Sequence, residues 1–308
     1  MTINVKAQKF FEDNALQWTI RGYNYIDHNY PVAFHRQRII LKILSKKNQK
    51  KMKIIDIGCG TGDNIIEIAK LGHIVVGIDS SKKMLDLAKR KIMKLKPNIR
   101  RNIHLVNDSI MNYKIKNHYD ICICMGVIGY MDSEEKFLKH INKFLKKNGQ
   151  LIISCRNRLF NLQSLSFRTL NEINKKNFKS IYDELKTYYK PLKKQSVEKF
   201  INNVSKLKLK KNNFKNNSKK KLIDKNYNPF KEPKQHTPLY LKKLSIKSGF
   251  KVKSYYGVHP HIIDPELNKM LPFKVFNQLS DVLTVFEEEP ISLVWSSVFI
   301  GLLIKGNK

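Results

Sequence analysis

Along residues 51–156, short apolar runs alternate with longer stretches in which apolar residues recur every three or four positions. Short apolar runs are typical of buried strands, and the longer period is typical of helices with one apolar face. The pattern predicts strands at 53–57, 73–78, 102–107, 120–124 and 150–155, and helices at 61–71, 80–95 and 133–147. Strands and helices that alternate in this order form a parallel, doubly wound sheet, whose ligands bind beyond the carboxyl ends of the strands.

The chain continues on both sides of this alternation. Before it, the pattern predicts two helices within residues 6–47, joined by a loop rich in aromatic residues. After it, we expect a helical lid at 162–204 and a Lys- and Asn-rich insertion at 205–234 with too few apolar residues to join a core. A helix that starts at 237 and two strands, 251–256 and 291–305, are predicted to follow. We therefore divide the chain into a helical cap (1–50), a core (51–156), a lid with its insertion (157–236) and a C-terminal part that completes the sheet (237–308).

Three glycines at every second position separate the first strand from the first helix of the core: Gly58, Gly60 and Gly62. Glycine adopts positive φ without strain and has no Cβ, so a nucleoside can lie against this turn. Nicotinamide, flavin and sulfonium cofactors all use such a turn. The dinucleotide pattern Gly-x-Gly-x-x-Gly fails here, because Asp63 stands at its third glycine position. Asp79 ends the second strand, where a carboxylate can accept hydrogen bonds from both ribose hydroxyls.

With this turn and this strand end, the sequence resembles the class I S-adenosylmethionine (SAM) methyltransferases over residues 35–155 and the C-terminal strands. The resemblance implies an α/β fold with a doubly wound, mostly parallel seven-stranded sheet (Rossmann-like), whose last two strands pair as an antiparallel hairpin at its edge. It also implies SAM as the cofactor, with the methionine part on Gly58 and Gly60 and the ribose on Asp79.

Within this family the sequence is most similar to the ubiquinone-pathway O-methyltransferases. These enzymes have an arginine before the first strand that holds the SAM carboxylate, which the resemblance assigns to Arg38, and a Cys-Met pair after the fourth strand, here Cys124-Met125. The family also places a carboxylate on the adenine amino group after the third strand, which corresponds to Asp108-Ser109. Met84 is a candidate contact of the adenine ring, although a methionine on a helix face is more often part of the core. The other candidate cofactor residues adjoin these strand ends: Asp56, Cys59, Ser80 and Met125.

Methyl transfer to an oxygen needs the acceptor atom in line with the methyl group, and a base helps because an alcohol or phenol loses its proton as the bond forms. His259 and His261 lie in a Pro-rich segment, 257–275, that we expect to contact the acceptor, and Tyr130 is the next candidate. Pro260 fixes a backbone dihedral between the two histidines, so we expect one ring, preferably that of His261, to face the cleft. Both can equally be ordinary loop or core histidines.

Three further residues are candidates for acceptor binding. Arg156 leaves the fifth strand at the rim of the expected site, where it can hold an anionic or hydroxyl-rich acceptor or be a solvated cation. Tyr23 and Tyr30 belong to the aromatic cluster before the core. We expect this cluster to cover the opening of the cofactor site, which is the nearest candidate surface. Such rings also serve to pack helices on a sheet.

The formal net charge of the 308-residue chain is +34, which by itself suggests a nucleic-acid or anionic-membrane partner. Lys and Asn, however, occupy nearly every polar position, a pattern typical of compositional drift rather than of one basic patch. The four cysteines lack metal-ligand spacing, so we expect reduced, buried thiols in a cytoplasmic protein and no metal. No apolar run reaches membrane-spanning length, and the first residues are too polar for a signal peptide.

The function that these features favour is SAM-dependent methyl transfer to an oxygen of a small molecule or of a glycan- or lipid-linked precursor. The alternative is an RNA methyltransferase or binding protein that uses its lysines as a phosphate track. Against it, the chain has Met125-Gly126-Val127-Ile128 where adenine and cytosine methyltransferases carry their own motifs. A third option is a SAM-binding domain without catalysis. The sequence predicts neither the acceptor nor the oligomeric state.

Overall fold

The computed structural model describes residues 3–26, 30–46, 51–114, 118–164, 167–174, 178–191, 193–206, 233–261, 265–268 and 270–306. Seven strands form one sheet. In chain order they are β1 Lys53–Ile57, β2 Ile74–Asp79, β3 Ile103–Asn107, β4 Tyr119–Met125, β5 Leu145–Arg156, β6 Phe250–Pro260 and β7 Ser296–Lys305. Across the sheet they lie in the order β3-β2-β1-β4-β5-β7-β6.

Strands β1 to β5 are parallel, and β7 lies antiparallel between β5 and β6. The predicted fold class, a doubly wound and mostly parallel seven-stranded sheet, is confirmed. The direction of winding reverses between β1 and β4, and ligands of open α/β sheets bind at such a reversal.

The helices pack on both faces of the sheet and beyond its carboxyl edge. They are α1 Ile3–Asp13, α2 Ala15–Tyr23, α3 Val32–Ser45, α4 Asp63–Lys70, α5 Lys82–Met93, α6 Pro97–Arg100, α7 Glu134–Phe144, α8 Phe167–Asn174, α9 Phe178–Lys186, α10 Lys194–Ser205, α11 Pro238–Lys247, α12 Pro265–Asn268, α13 Phe273–Leu283 and α14 Ser292–Trp295. Side-chain caps begin three of them, where the hydroxyls of Ser81, Ser133 and Thr237 accept from the backbone N–H three residues on. Each such cap stabilises its helix by about 1 kcal/mol.

The sheet divides the core into two apolar clusters, because successive strand residues point to opposite faces. On one face Ile55 and Ile57 of β1 pack with helices α7 and α11, including the fully buried Phe137 and Phe144. On the other face Ile54 packs with α3, α4 and α5. Each large side chain buried in this way contributes about 2–3 kcal/mol of hydrophobic stabilisation.

The C-terminal hairpin differs from the predicted strands. β6 continues beyond residue 256 to Pro260, and β7 begins at Ser296, because residues 292–295 form the short helix α14 instead of extending the strand from 291. A short apolar run such as Ile291–Trp295 has no periodicity that separates a strand from a buried helical turn. The longer β6 takes His259 into the ladder next to β7, away from a free loop.

The predicted helical lid, residues 162–204, contains α8, α9 and nearly all of α10. Ile181 and Leu185 of α9 are buried against Leu159 and Val294, so this helix packs on the end of the fold. Residues 207–232 of the predicted insertion lie outside the described residues. The division into cap, core, lid and C-terminal part stays a prediction. Among the described residues, no helix is long and apolar enough to cross a membrane.

Three histidines are packed together between α3, β6 and α13. The ring of His35 stacks on Tyr30, Tyr30 stacks on His259, and the rings of His259 and His261 lie 3.8 Å apart between centroids. Burial lowers the pKa of His35 to about 3 and that of His261 to about 4, and it holds the pKa of His259 well below 6.5. All three rings are therefore neutral at pH 7.

These buried histidines predict a loss of stability in mild acid. The unfolded chain takes up a proton near pH 6.5, whereas the folded His261 does so only near pH 4. The stability that depends on a neutral His261 is fully present above pH 6.5. It is lost as the pH falls towards 4, at up to about 1.4 kcal/mol per pH unit. We expect His261→Gln to reduce the drop in unfolding free energy between pH 7 and pH 5 by about 2 kcal/mol, measured by urea titration.

The control for this experiment is His104→Gln, which makes the same substitution at an exposed histidine of β3. Gln at position 261 keeps an acceptor for the Asn268 amide, which lies 3.0 Å from His261 Nδ1. A wild-type pH dependence in His261→Gln would show that the ring is protonated without cost in the folded state.

Candidate functional site

The glycine turn joins β1 to α4 and is held against the end of β2. Gly58, Gly60 and Gly62 have φ of +69°, +54° and +80°, values that favour glycine. The backbone N–H groups of Gly58 and Cys59 both donate to the carbonyl of Ile78, at 2.8 and 3.1 Å. The turn therefore has one fixed conformation, and its surface faces the gap between β1 and β4.

The turn also packs closely on the segment after β4. A Cβ added to Gly58 would lie 2.5 Å from Cγ2 of Val127, and one added to Gly62 would lie 3.0 Å from Cβ of Ala88. On its underside, the Sγ of Cys59 lies 2.9 Å from the position of a Cβ on Gly77. At each of these positions the close packing is possible only because glycine has no side chain.

Asp79 at the end of β2 braces the turn from the other side. Its Oδ2 accepts from the Gly60 N–H at 2.8 Å, and its Oδ1 accepts from the Ser81 N–H at 2.9 Å. Burial raises the pKa of this carboxyl, and the two backbone hydrogen bonds oppose that rise. Each carboxylate oxygen retains a second lone pair, so both can accept a further hydrogen bond from a ligand.

Asp56 lies below the turn and is fully buried. Burial, together with the nearby Asp79, raises its pKa to about 8, and neither of its carboxylate oxygens has a hydrogen-bond partner among the described residues. Asp56, a predicted cofactor residue, therefore lies in the core and does not line the cavity described next.

A cavity of about 240 Å³ runs along the carboxyl ends of the parallel strands. Asp79 and Asp108 line it beyond β2 and β3, and the glycine turn forms its floor at β1. Beyond β4 and β5 its wall carries Arg36, Arg156 and Lys234. The cavity therefore has an acidic end and a basic end, on opposite sides of the glycine turn.

Arg36 of α3 points into this cavity. Its Nη1 lies 3.1 Å from the position of a Cβ on Gly126, at the end of β4. Burial and the nearby Arg156 lower its pKa to about 10. Among the described residues its guanidinium has no carboxylate partner, and its Nε is buried without a hydrogen bond. Arg36 is thus a cation in the cavity wall that can still bind an anion.

Arg38, the predicted carboxylate ligand, is not in this cavity. It forms an ion pair with the buried Glu287, which Lys42 also contacts at 2.8 Å. Residues two apart on a helix point about 200° apart, so Arg36 and Arg38 cannot face the same side. The apolar stripe of α3 could have identified Arg36, because Ile40 and Ile43 follow it by four and seven residues.

Most of the other predicted site residues do line the cavity, and their roles stay predictions. They are Tyr23, Cys59, Ser80, Met84, Asp108, Ser109, Met125, Tyr130 and Arg156. Tyr30 does not: its ring is stacked between His35 and His259.

Neither His259 nor His261 lines the cavity. His259 is buried, with its Nε2 3.1 Å from Ser280 Oγ on α13, and His261 lies against Phe160 and Asn268. The expectation that Pro260 turns the two rings apart is wrong, since they lie side by side. His259 adopts a φ of +61°, and this backbone conformation brings both rings to the same side.

The sequence did not indicate that residues 233–236 close the basic end of the cavity. The Lys234 N–H donates to the Gly129 carbonyl at 2.9 Å, and its Nζ donates to the carbonyls of Met131 and Asp132. The His236 N–H donates to the carbonyl of Arg156 at 2.9 Å. Residues 233 and 234 fall in the predicted insertion, 205–234, and no local pattern reveals these long-range contacts.

Comparison with known proteins shows what the domain that carries this site resembles. Residues 54–149 match the family model described as a methyltransferase domain. The structure of magnesium protoporphyrin IX methyltransferase from Synechocystis PCC 6803, solved with bound SAH, superposes over 99% of this chain and 100% of its own, with a TM-score of 0.56 at 13% identity. Residues 54–149 therefore match a methyltransferase domain, and the fold of the chain matches that of this solved methyltransferase.

Two relatives share a more specific name. The ubiquinone biosynthesis O-methyltransferase of Pelagibacter ubique is 31% identical over 49% of this chain and 61% of its own length. The mitochondrial enzyme of that name from Schizosaccharomyces pombe is 30% identical over 34% of this chain and 38% of its own. The chain thus resembles this group, and the match spans less than two thirds of either relative.

The close packing of the turn predicts that Gly58→Ala destabilises the protein more than Gly72→Ala. Both glycines have positive φ, +69° and +88°, but a Cβ on Gly72 meets nothing within 4 Å. We expect Gly72→Ala to lower the unfolding free energy by about 1 kcal/mol through backbone strain alone. Gly58→Ala should lower it by about 1–3 kcal/mol more, because its methyl group overlaps Val127.

The measurement is denaturant unfolding of both variants. Adding Val127→Ala to Gly58→Ala should recover part of the additional loss, since it removes the overlapping methyl groups. Equal losses in the two single variants would mean that the turn is not packed as described.

Proposed function

We propose that this protein is a SAM-dependent methyltransferase that methylates an oxygen of a small molecule or of a glycan- or lipid-linked precursor. The observation that carries the proposal is the polarity of the cavity. A carboxylate with free lone pairs, Asp79, stands at one end, and a guanidinium without a partner, Arg36, stands near the other. SAM has the complementary layout, with ribose hydroxyls at one end and a carboxylate at the other.

The residues present fit this cofactor. Asp79 would accept hydrogen bonds from the ribose hydroxyls, and Arg36 would pair with the carboxylate of the methionine part. Asp108 lines the cavity and would accept a hydrogen bond from the adenine amino group. The Ser109 N–H holds its carboxylate in place by donating to Oδ1 at 2.7 Å. The absence of a Cβ at Gly58 and Gly60 lets the ligand approach the backbone.

SAM supplies an activated methyl group, so the protein mainly has to orient the acceptor oxygen and exclude water. Of the three residues considered as a base, Tyr130 alone lies in the cavity wall, where its ring packs edge-on against Phe11 at 5.7 Å. The two neutral histidines have their own partners outside the cavity and support the fold. Tyr130 is therefore the proposed hydrogen-bonding partner of the acceptor hydroxyl.

We also place the protein in the cytoplasm. Its four cysteines are free and buried, and burial raises the pKa of every one of these thiols. Buried, protonated thiols are unreactive and suit a reducing compartment.

The assignment of Arg36 predicts a difference between two neighbouring arginine variants. In calorimetry with SAM and SAH, Arg36→Gln should weaken binding about 10- to 100-fold, because a charge-assisted, bidentate contact is lost. Arg38→Gln is the matched control. It should keep nearly wild-type affinity and show a lower melting temperature, because Glu287 remains buried with one cation fewer.

A reversed result, with affinity lost only in Arg38→Gln, would show that Arg38 binds the SAM carboxylate and Arg36 does not. If the wild-type protein binds neither ligand below about 1 mM, the proposed function itself fails.

The acceptor class is tested with methyl-labelled SAM. We expect the wild-type protein to transfer label to a small-molecule extract in a reaction that Tyr130→Phe slows, and to leave purified RNA unlabelled. Label in RNA, lost at high salt, would favour the alternative that the net charge of +34 suggests.

A further inference from the structure

We propose that the acceptor is an organic anion and that Arg156 holds its carboxylate or phosphate group. This inference rests on the proposed function, since it concerns the second ligand of the same cavity.

Arg156 ends β5 at the basic end of the cavity. The strand holds it in place, since its neighbours in the sheet are fixed by pairing and its own carbonyl accepts from the His236 N–H at 2.9 Å. The side chain is partly exposed and lines the cavity. Within the part of the chain that the structure describes, its guanidinium makes no hydrogen bond and no ion pair.

The two other arginines nearest in sequence to these cavity residues are paired. Arg38 binds Glu287, and Arg158 makes a bidentate pair with Glu172, at 2.9 and 2.7 Å. Among the described residues, carboxylates thus pair with the arginines just outside the cavity and with neither Arg36 nor Arg156 inside it.

The two unpaired arginines also repel each other, and this repulsion, together with burial, lowers the pKa of Arg36. Two like charges in a partly buried cavity are unfavourable unless anions neutralise them. SAM carries one carboxylate, which Arg36 can take, together with a sulfonium and an ammonium group that add positive charge. A second anion is therefore needed at the basic end, and the acceptor is the ligand that can bring it.

Among the described residues, the acidic side chains that line the cavity are Asp63, Asp79 and Asp108, and none can serve as that anion. Asp108 follows β3, at the far edge of the sheet. Asp79 ends β2, three strand spacings from β5, which is about 14 Å. Asp63 is already paired with Lys91 at 2.7 Å. Lys234 adds a further positive charge to the same wall, with its ammonium fixed on two backbone carbonyls.

Arg156 also stands on the side of the cavity that suits an acceptor. Of the proposed cofactor residues, the glycine turn, Asp79 and Asp108 lie over β1, β2 and β3, and Arg36 lies at the end of β4. Arg156 ends β5, one strand further along the sheet. A planar guanidinium binds carboxylate and phosphate in a bidentate manner, which fixes orientation as well as position. An anion held there directs the rest of the acceptor back towards the glycine turn.

The test uses three probes that share a phenyl ring: 4-hydroxybenzoate, phenyl phosphate and the neutral 4-hydroxybenzamide. Their binding is measured by calorimetry on the full-length protein saturated with SAH. For the wild-type protein we expect at least one anionic probe to bind about tenfold tighter than the amide, and the tighter of the two identifies carboxylate or phosphate as the group held. Arg156→Gln should abolish that preference and keep SAH affinity within about twofold, whereas Arg158→Gln should keep both.

A second measurement does not depend on the choice of probe. A small-molecule extract is separated on an anion-exchange column, and each fraction is offered with methyl-labelled SAM. We expect the acceptor in the retained fraction, and acceptor found only in the flow-through would overturn the inference.

Three other results would also overturn it: no preference for either anionic probe, a preference that survives in Arg156→Gln, or loss of SAH binding in that variant, which would assign Arg156 to the cofactor. Failure of the wild-type protein to bind SAH would instead refute the proposed function.

Discussion

The site depends on the hydrogen bonds that tie the glycine turn to the end of β2. Two backbone N–H groups of the turn share the Ile78 carbonyl, and a third reaches the Asp79 carboxylate. These bonds fix the left-handed conformation of the glycines and with it the floor of the cavity. They also place Asp79 beside the turn, so that one set of contacts holds the backbone and orients the polar group at the acidic end.

The helix α3 has two roles because its faces differ. Its buried face carries Ile39, Ile40 and Ile43 into the core and delivers Arg36 to the cavity. Its other side joins Arg38 and Lys42 to Glu287, which links the helix to the segment before α14. A change of register in this helix would therefore break a stabilising ion pair and at the same time move Arg36 out of the cavity wall.

The fold was predictable because it follows local periodicity, and the acidic end of the cavity was predictable because its residues directly follow strands. The basic end of the cavity was harder to predict from the sequence. The choice between Arg36 and Arg38 depends on which face of α3 is buried, and a loop histidine cannot be told from a buried one until β6 is seen to extend to Pro260. The contribution of residues 233–236 arises from contacts with residues about one hundred positions away, such as Lys234 with Met131, which no local pattern contains.

The unpaired cations have a consequence for stability. Arg36 and Arg156 are held near each other by elements that are themselves well packed, α3 on the sheet and β5 within it. The rigid fold therefore maintains a repulsion that a flexible loop would relax. Sites arranged for binding commonly reduce the stability of the free protein in this way, and a ligand that neutralises the charge restores it. In the proposed site the two arginines form a preorganised pair, because α3 and β5 already fix their backbone positions.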